Sequence, residues 1–136
     1  MSEHDTAWVL DIERMGYEEA FELQKKCVAA RGRDEIPDIF IMLEHNPVFT
    51  VNREVTQQNI IASPEVLAEN GIEVCKTDRG GDVTYHGPGQ ITGYSIMDLK
   101  KQGRDLHKYI RNVEQVLIDT VAEYGFDSGR DCINPG

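Results

Sequence analysis

The sequence contains few cysteines, and none of them lies close to another. Cys27, Cys75 and Cys132 are odd in number and widely separated, and no C-x-x-C pair is present. A disulfide-bonded scaffold and a zinc ribbon both require a regular set of cysteines. The thiols are therefore expected to be reduced, as in a cytoplasmic protein.

Long apolar runs and an excess of positive charge are also lacking. No stretch approaches the roughly 20 apolar residues of a membrane-spanning helix, and residues 1–11 do not have the pattern of a secretory signal. The 14 basic residues are outnumbered by 24 acidic ones, which gives a net charge of -10. This balance argues against nucleic acid or an anionic membrane as a partner. We expect a cytoplasmic protein that binds neither.

The chain has 136 residues, enough for one domain with a single core. Short or alternating apolar stretches predict strands, and apolar residues that recur every three to four positions predict helices. The predicted strands cover residues 7–12, 38–44, 72–76 and 91–99, and the predicted helices cover 17–30, a short stretch from Ser63 to Gly71, and 105–124. Alternating strands and helices predict an α/β or α+β domain.

Each predicted helix has its own signal. In the short one, Ser63 is expected to cap the N-terminus and Pro64 to occupy the first helical position. The other two carry apolar stripes that predict a buried face. The first stripe is Tyr17, Ala20, Phe21 and Val28, and the last is Leu106, Tyr109, Ile110, Val113, Val116, Leu117, Val121 and Tyr124.

Residues 79–90 form the most informative segment, because they include four glycines and one proline. Gly80, Gly81, Gly87 and Gly89 permit positive φ angles and a close approach of the main chain to a ligand. Hydrogen-bonding side chains are interleaved with them: Arg79, Asp82, Thr84, Tyr85, His86 and Gln90. Exposed backbone amides beside a few polar groups are typical of a site that orients a polar head group.

The alternative interpretation of this segment is a tight connection whose polar side chains face water. The segment is not a G-x-G-x-x-G fingerprint, and it lacks the Gly-Lys-Ser/Thr ending of a Walker loop. Residue types alone therefore leave a binding site and a solvated connection both open.

Two motifs, in order, resemble those of the octanoyl-[acyl carrier protein]:protein N-octanoyltransferases, also called lipoyl(octanoyl) transferases or the lipoate-protein ligase B family. The first is Leu43-Glu44-His45-Asn46-Pro47-Val48-Phe49-Thr50, and the second is Arg79-Gly80-Gly81-Asp82-Val83-Thr84-Tyr85-His86-Gly87-Pro88-Gly89-Gln90. The resemblance implies the fold of the biotin/lipoate protein ligases, a mixed sheet with helices packed against it. It also implies that residues 1–136 are one truncated catalytic domain.

The resemblance implies octanoyl transfer in lipoate biosynthesis. Enzymes of this family take an octanoyl group from octanoyl-acyl carrier protein and pass it, through a cysteine thioester, to a lysine on the lipoyl domains of 2-oxoacid dehydrogenase complexes and the glycine cleavage system. No cofactor and no metal is expected. Burial of the octanoyl tail contributes about 0.8 kcal/mol per methylene, on the order of 5 kcal/mol in all.

By the same resemblance, the substrate site includes Arg79, Gly80, Gly81, Asp82, Val83, Thr84, Tyr85 and His86. Of these, Gly80 and Gly81 are expected to bring backbone close to the acyl group, and Tyr85 and His86 to shape the pocket near the thioester. His45 is an additional pocket candidate, because it follows a predicted buried strand. A histidine in that position is also often a hydrogen-bonded structural residue, and both interpretations of His45 stay open.

The family's nucleophilic cysteine lies in a Pro-Cys-Gly motif beyond the long helix, and its activating lysine follows a Pro-Gly pair. Pro135-Gly136 resembles that pair, so both catalytic residues are expected beyond Gly136 and the chain is expected to be inactive alone. Cys132 is a poor substitute, because it precedes the proline and stands beside Asp131, whose charge would raise the pKa of a thiol.

Two other functions remain as alternatives. One is a non-catalytic module that binds an acyl group or a carrier protein, and the other is an ATP-dependent lipoate-protein ligase. Because acyl carrier proteins and lipoyl domains are usually acidic, a chain with net charge -10 needs a local basic surface to bind them. Lys100, Lys101, Arg104 and Lys108 are predicted to form that surface.

Overall fold

The computed structural model describes residues 6–52 and 59–131. Contacts within the chain divide it into two compact units, Met1–Met97 and Asp98–Gly136. The first unit contains β1 (Ala7–Met15), α1 (Tyr17–Gly32), β2 (Asp38–His45), β3 (Val48–Asn52), α2 (Pro64–Glu69), β4 (Glu73–Thr77), β5 (Val83–His86) and β6 (Ile91–Ile96). The second contains a 3-10 helix (Leu99–Gln102) and α3 (Leu106–Glu123).

The six strands form two mixed sheets of three strands each. In the first sheet, β2 lies between β1, which is parallel to it, and β6, which is antiparallel. In the second sheet, β3 lies between β4, parallel, and β5, antiparallel. The mixed character agrees with the predicted fold class, although the strands are divided between two small sheets.

Two of these strands were not predicted. β3 follows β2 after a two-residue break at Asn46-Pro47, and β5 lies inside the glycine-rich segment. The prediction of one strand over residues 91–99 was too long, since β6 ends at Ile96 and a 3-10 helix follows. Asp98 caps that 3-10 helix, because its side chain accepts from the Lys100 amide.

The core of the first unit lies between α1 and one face of the β1-β2-β6 sheet. Side chains alternate along a strand, so Ile39, Ile41 and Leu43 of β2 share one face and are all buried. Ala20 of α1 is buried against them, and Leu23 of the same helix packs at the edge of this cluster. The buried face of α1 therefore shares Ala20 with the predicted stripe and adds Leu23.

Two residues of that predicted α1 stripe lie outside this core. Phe21 and Val28 are exposed by 43% and 57%. The helix is fixed at its C-terminal end by Arg31, whose buried guanidinium donates to Asp34 and Asp38 at 2.6 Å each. These ion pairs join the last turn of α1 to the first residue of β2.

The other helices begin and end as their sequences predict. The Ser63 hydroxyl accepts from the Val66 amide, and Pro64 stands in the first turn of α2. Asp105 caps α3 by accepting from the Lys108 amide, and Gly125 follows the helix with φ of 82°. None of the helices in the described ranges is long and apolar enough to cross a membrane.

Candidate functional site

The end of β2 and the end of β5 bring two histidines together. The ring centroids of His45 and His86 are 5.7 Å apart in an edge-on arrangement. Tyr17, the first residue of α1, stacks on His86 at 6.4 Å with 15° between the rings, and Tyr94 of β6 lies 5.9 Å from His45. We refer to Tyr17, His45, His86 and Tyr94 as the histidine–tyrosine cluster.

His45 is fully buried and both of its ring nitrogens have partners. Nδ1 lies 3.2 Å from the Met15 carbonyl oxygen, and Nε2 lies 2.6 Å from the Tyr94 hydroxyl. Because a carbonyl only accepts, Nδ1 carries the proton, and Nε2 accepts from the tyrosine. Burial lowers the pKa of His45, the hydrogen bond to the Met15 carbonyl opposes this, and the nearby His86 lowers the pKa further. His45 is therefore a neutral ring with a fixed tautomer.

Tyr94 is held as a neutral hydroxyl. Burial raises its pKa to about 12, the nearby Tyr17 acts in the same direction, and a hydrogen bond from Gln24 opposes both. The proton of the hydroxyl points to His45 Nε2, because that nitrogen has no proton of its own. Met15, His45 and Tyr94 thus form a short hydrogen-bonded chain across the β1-β2-β6 sheet.

The second half of the glycine-rich segment forms a turn that brings the Gln90 side chain back beside His86. The Gln90 amide donates to the Gly87 carbonyl at 3.1 Å, and Gly89 has φ of 86°. Pro88 and Gly89 in the central positions are typical of a type II turn, whose third residue requires positive φ. The turn brings Gln90 Oε1 to 2.6 Å from His86 Nδ1.

Gly87 itself is required by the packing of Tyr85. A β-carbon at position 87 would lie 2.5 Å from the Tyr85 hydroxyl oxygen, closer than such atoms approach. The Tyr85 ring, in turn, packs on Phe49 of β3 at 5.2 Å. The glycine therefore allows the ring to lie beside the main chain.

The first half of the segment is organised by Arg79. Its guanidinium donates to the Thr50 carbonyl at 2.8 Å, to the Thr50 hydroxyl at 3.1 Å and to the Gly80 carbonyl at 2.8 Å. The Arg79 carbonyl accepts from the Asn52 side chain at 2.9 Å. Arg79 therefore joins β3 to the turn before β5, and these hydrogen bonds use donors on all three guanidinium nitrogens.

Asp82 and the neighbouring glycines complete that turn. Gly81 has φ of 85°, and the Asp82 carbonyl accepts from the Asn52 amide at 3.2 Å. One carboxylate oxygen of Asp82 accepts from Asn59. The other is buried and has no hydrogen-bond partner within residues 6–52 and 59–131.

The predicted site residues on β5 divide between two faces of the sheet. His86 pairs with Val48 and Thr84 pairs with Thr50, so these two β5 residues share the face that meets the histidine–tyrosine cluster. Tyr85 and Val83 point to the opposite face. The family resemblance implied that Tyr85 and His86 both shape the pocket near the thioester, and alternation along the strand places their side chains on opposite faces.

An apolar cavity of about 380 Å³ lies beside α2 and β4. It is lined by Ile60, Ala62, Pro64, Leu67, Ala68, Ile72 and Val74. Val74 pairs with Phe49 across the strands, so it shares the Tyr85 face and not the His86 face. The cavity and the histidine–tyrosine cluster therefore belong to opposite faces of the β4-β3-β5 sheet.

Two of the three cysteines, Cys27 and Cys75, lie in the described part of the chain, and both are free thiols. Cys75 is buried, and burial, with the charges of Glu18 and Glu73, raises the pKa of its thiol. Cys27 is half-buried beside the α1 core, and Cys132 lies outside the described residues. Within residues 6–52 and 59–131, no three His, Cys, Asp or Glu side chains come together as metal ligands.

Tyr17 and Tyr94 were not predicted as site residues, and Gln90 was predicted only as one of the polar side chains of the glycine-rich segment. Tyr17 had been assigned to a helical stripe, and Tyr94 to an alternating strand. Their rings meet His45 and His86 only because α1 and β6 flank the ends of β2 and β5. Gln90 had a local signal, since it ends the turn that begins one residue after His86.

Comparison with known proteins gives matches in sequence and in fold. Residues 16–132 match the family model of the lipoyl protein ligase A/B catalytic domain. An octanoyltransferase of Alkaliphilus metalliredigens is 43% identical over 129 residues, which cover 94% of this chain and 59% of the relative. An octanoyltransferase of Rubrobacter xylanophilus is 46% identical over 126 residues, which cover 89% and 56%.

A solved structure supports the fold. Lipoate-protein ligase A bound with ATP superposes with a TM-score of 0.64 at 14% identity, over 94% of this chain and 51% of that one. At this identity the likeness concerns the fold alone. The chain spans little more than half the length of the two octanoyltransferases and about half that of the ligase.

Proposed function

The chain belongs to the lipoyl protein ligase A/B catalytic domain family, and from that premise we propose that it forms the N-terminal portion of an octanoyltransferase. A cysteine thiolate attacks octanoyl-acyl carrier protein, so that a new thioester forms and the carrier thiol leaves. A lysine amine of a lipoyl domain then attacks this thioester, an amide forms, and the cysteine leaves as thiolate. In this proposal, the nucleophilic cysteine and its activating lysine belong to the part of the relatives' length that this chain does not span.

One observation carries this proposal. The two motifs that resemble the family meet in space, since His45 ends β2, His86 ends β5, and their ring centroids are 5.7 Å apart. The motifs are separated by about thirty residues, so only the pairing of the strands brings them together. Matches of 43% and 46% to octanoyltransferases support the same function.

Within this proposal, the glycine-rich segment has two tasks. Arg79 holds the turn at Gly80 and Gly81 against β3, so that their backbone lies in a constant position beside the acyl group. Asp82, Val83, Thr84 and Tyr85 connect this turn to His86, and His45 supports His86 from the neighbouring sheet. The thioester lies on the His86 face of β5.

We assign the carrier-binding surface to the basic residues around the 3-10 helix. Lys100, Arg104 and Lys108 are exposed, while the Lys101 side chain lies outside the described residues. The stretch 98–108 holds four basic residues against Asp98 and Asp105, in a chain of net charge -10. An acidic carrier is attracted to such a local excess of positive charge, and the attraction weakens with salt.

The double variant Lys100→Glu with Lys108→Glu tests this surface. It should weaken carrier binding and reduce the dependence of binding on salt. Unchanged binding would refute this assignment.

The transfer reaction can be tested by completing the chain. Residues 1–136 are joined to the remaining C-terminal portion of the Alkaliphilus metalliredigens octanoyltransferase. The product is then incubated with octanoyl-acyl carrier protein and a lipoyl domain. Intact mass spectrometry should show one octanoyl group on the lipoyl domain, with an octanoyl adduct on the enzyme cysteine. A lipoyl domain whose acceptor lysine is replaced by arginine is the matched control.

The outcomes separate three functions. Octanoyl transfer without ATP supports the octanoyltransferase. A requirement for ATP and free octanoate, with release of pyrophosphate, would show a ligase instead. Saturable binding of the octanoyl carrier without any adduct or transfer would show a binding module, and either of the last two results would refute the proposal.

A further inference from the structure

The two histidines of the cluster differ in what their ring nitrogens can do. Both nitrogens of His45 are occupied, one by the Met15 carbonyl and one by the Tyr94 hydroxyl. His86 uses Nδ1 for Gln90, and in the described part of the chain its Nε2 makes no hydrogen bond. His86 is therefore the ring that has a nitrogen available for chemistry.

The tautomer of His86 follows from the orientation of the Gln90 amide. The Gln90 Nε2 group donates to the Tyr85 carbonyl at 3.5 Å, a long bond that nonetheless directs the amide nitrogen away from the histidine. Oε1 then faces His86 Nδ1 at 2.6 Å, and an amide oxygen only accepts. His86 Nδ1 must carry the proton, which leaves a lone pair on Nε2.

The type II turn from Gly87 to Gln90 holds the Gln90 side chain in this orientation. Gly89, with φ of 86°, and the bond from the Gln90 amide to the Gly87 carbonyl fix where the Gln90 side chain begins. The two partners are four positions apart in the chain, so little chain entropy opposes their contact. The sequence His-Gly-Pro-Gly-Gln at residues 86–90 thus favours, through local contacts, the tautomer of His86 that carries its proton on Nδ1.

We propose that Gln90 is a positioning residue that holds His86 with its proton on Nδ1, so that Nε2 accepts the proton released by the attacking lysine amine. The proton-transfer part rests on the proposed function. As the amine nitrogen bonds to the thioester carbon and the cysteine thiolate departs, the amine loses one proton, and that proton passes to His86 Nε2. A histidine with the opposite tautomer would present an N–H to the amine and would not accept the proton.

The titratable groups that surround His86 are known from the structure. Tyr17 of α1 stacks on its ring and His45 of β2 meets it edge-on. Glu73 of β4 lies on the same row of the sheet, because both it and His86 pair with Val48. His45 is neutral and its proton is bonded to a carbonyl, so it does not compete for the amine proton.

The tautomer can be measured on residues 1–136 alone. Two-bond proton–nitrogen NMR correlations distinguish a protonated from an unprotonated imidazole nitrogen. The chain has four histidines, and a His86→Gln variant assigns the His86 signals. We expect Nδ1 of His86 to be protonated in the natural chain and the tautomer population to move toward protonated Nε2 in Gln90→Leu. His45 should keep its signals in both and serves as an internal control.

A matched substitution controls for the loss of a glutamine. Gln115 of α3 also has a bonded side-chain amide, which donates to Asp119 at 2.7 Å. Gln115→Leu should leave the His86 signals unchanged. Protonated Nε2 of His86 in the natural chain, or a His86 tautomer that ignores Gln90→Leu, would overturn the role of Gln90.

Proton transfer to His86 Nε2 is tested in the completed enzyme, in which residues 1–136 are joined to the C-terminal portion of the relative. Gln90→Leu should lower kcat at least about tenfold with little change in KM, since a wrong histidine tautomer in a serine protease triad costs about 10⁴-fold. Gln90→Glu places a carboxylate beside His86 and should move the acidic limb of the pH–rate profile to higher pH. An active enzyme in which Gln90→Leu shifts the tautomer but not the rate would refute proton transfer by His86. Absence of any transfer would refute the proposed function and leave the NMR result standing.

Discussion

Replacing Tyr94 with phenylalanine would remove one oxygen atom from the hydrogen-bonded chain at the centre of the cluster. The hydroxyl donates to His45 Nε2 at 2.6 Å, and His45 has no exposed surface. Without the hydroxyl, Nε2 is a buried acceptor that water does not reach, while the aromatic ring keeps its packing. An unsatisfied buried polar group costs about 1–3 kcal/mol, so Tyr94→Phe should lower the free energy of unfolding by about 2 kcal/mol.

The assay can use the single tryptophan. Trp8 lies on β1, next to β2, so its fluorescence reports unfolding of the first unit. For a unit of this size the urea dependence is about 1–2 kcal/mol per molar, so the midpoint should fall by about 1–2 M. In a His45→Leu background no acceptor remains, and the added cost of Tyr94→Phe should be below about 0.5 kcal/mol.

Tyr85→Phe is the matched control. Tyr85 is 44% exposed, and its hydroxyl lies over Gly87. Its loss should change the free energy of unfolding by less than about 0.5 kcal/mol. A Tyr94→Phe variant as stable as this control, or the same cost in both His45 backgrounds, would refute the assignment of the Tyr94–His45 hydrogen bond.

Three further predictions use the same unfolding assay. The first concerns pH. Because burial lowers the pKa of His45, the unfolded chain binds more protons than the folded chain below about pH 6.5, so the free energy of unfolding should be greatest above that pH and fall as the pH decreases. An equal dependence of the free energy of unfolding on pH in His45→Leu would contradict this cause. Gly93→Ala places a β-carbon 2.7 Å from the Phe40 ring and should cost about 1–3 kcal/mol, whereas Gly32→Ala, with no atom within 4 Å, should cost nothing. Arg79→Lys loses the planar guanidinium that joins β3 to the turn, so it should lower the free energy of unfolding by about 1–3 kcal/mol. Backbone amide hydrogens at the end of β3 should also exchange faster. Unchanged exchange would show that the guanidinium is not needed there.

Local signals accounted for most of the helices and strands. The caps at Ser63 and Asp105 and the glycine after α3 act within a few residues, so their chemistry is legible in the chain. β3 and β5 were not predicted, although β4, which is as short as β3, was. Strands this short are stabilised by the partners they pair with, and those partners are distant in sequence.

The structure brings two of the predicted site residues together, and the pairing of the strands decides which way the side chains of β5 point. His45 and His86 were both selected from motifs, and they do lie together. Arg79 was predicted to belong to the substrate site, and its guanidinium donates to the Thr50 and Gly80 carbonyls and to the Thr50 hydroxyl. No local rule indicates that a loop arginine will bond to Thr50, which is 29 residues away.

By itself, the sequence determined the chemistry that is carried by neighbours along the chain: the turn that places Gln90 beside His86, the helix caps, and the two motifs of the family. The tertiary structure alone decided that Tyr94 donates to His45 and that Tyr17 stacks on His86. The physical reason is distance along the chain. A contact within four residues is set by local backbone geometry, whereas a contact across two sheets exists only after their strands have paired in register.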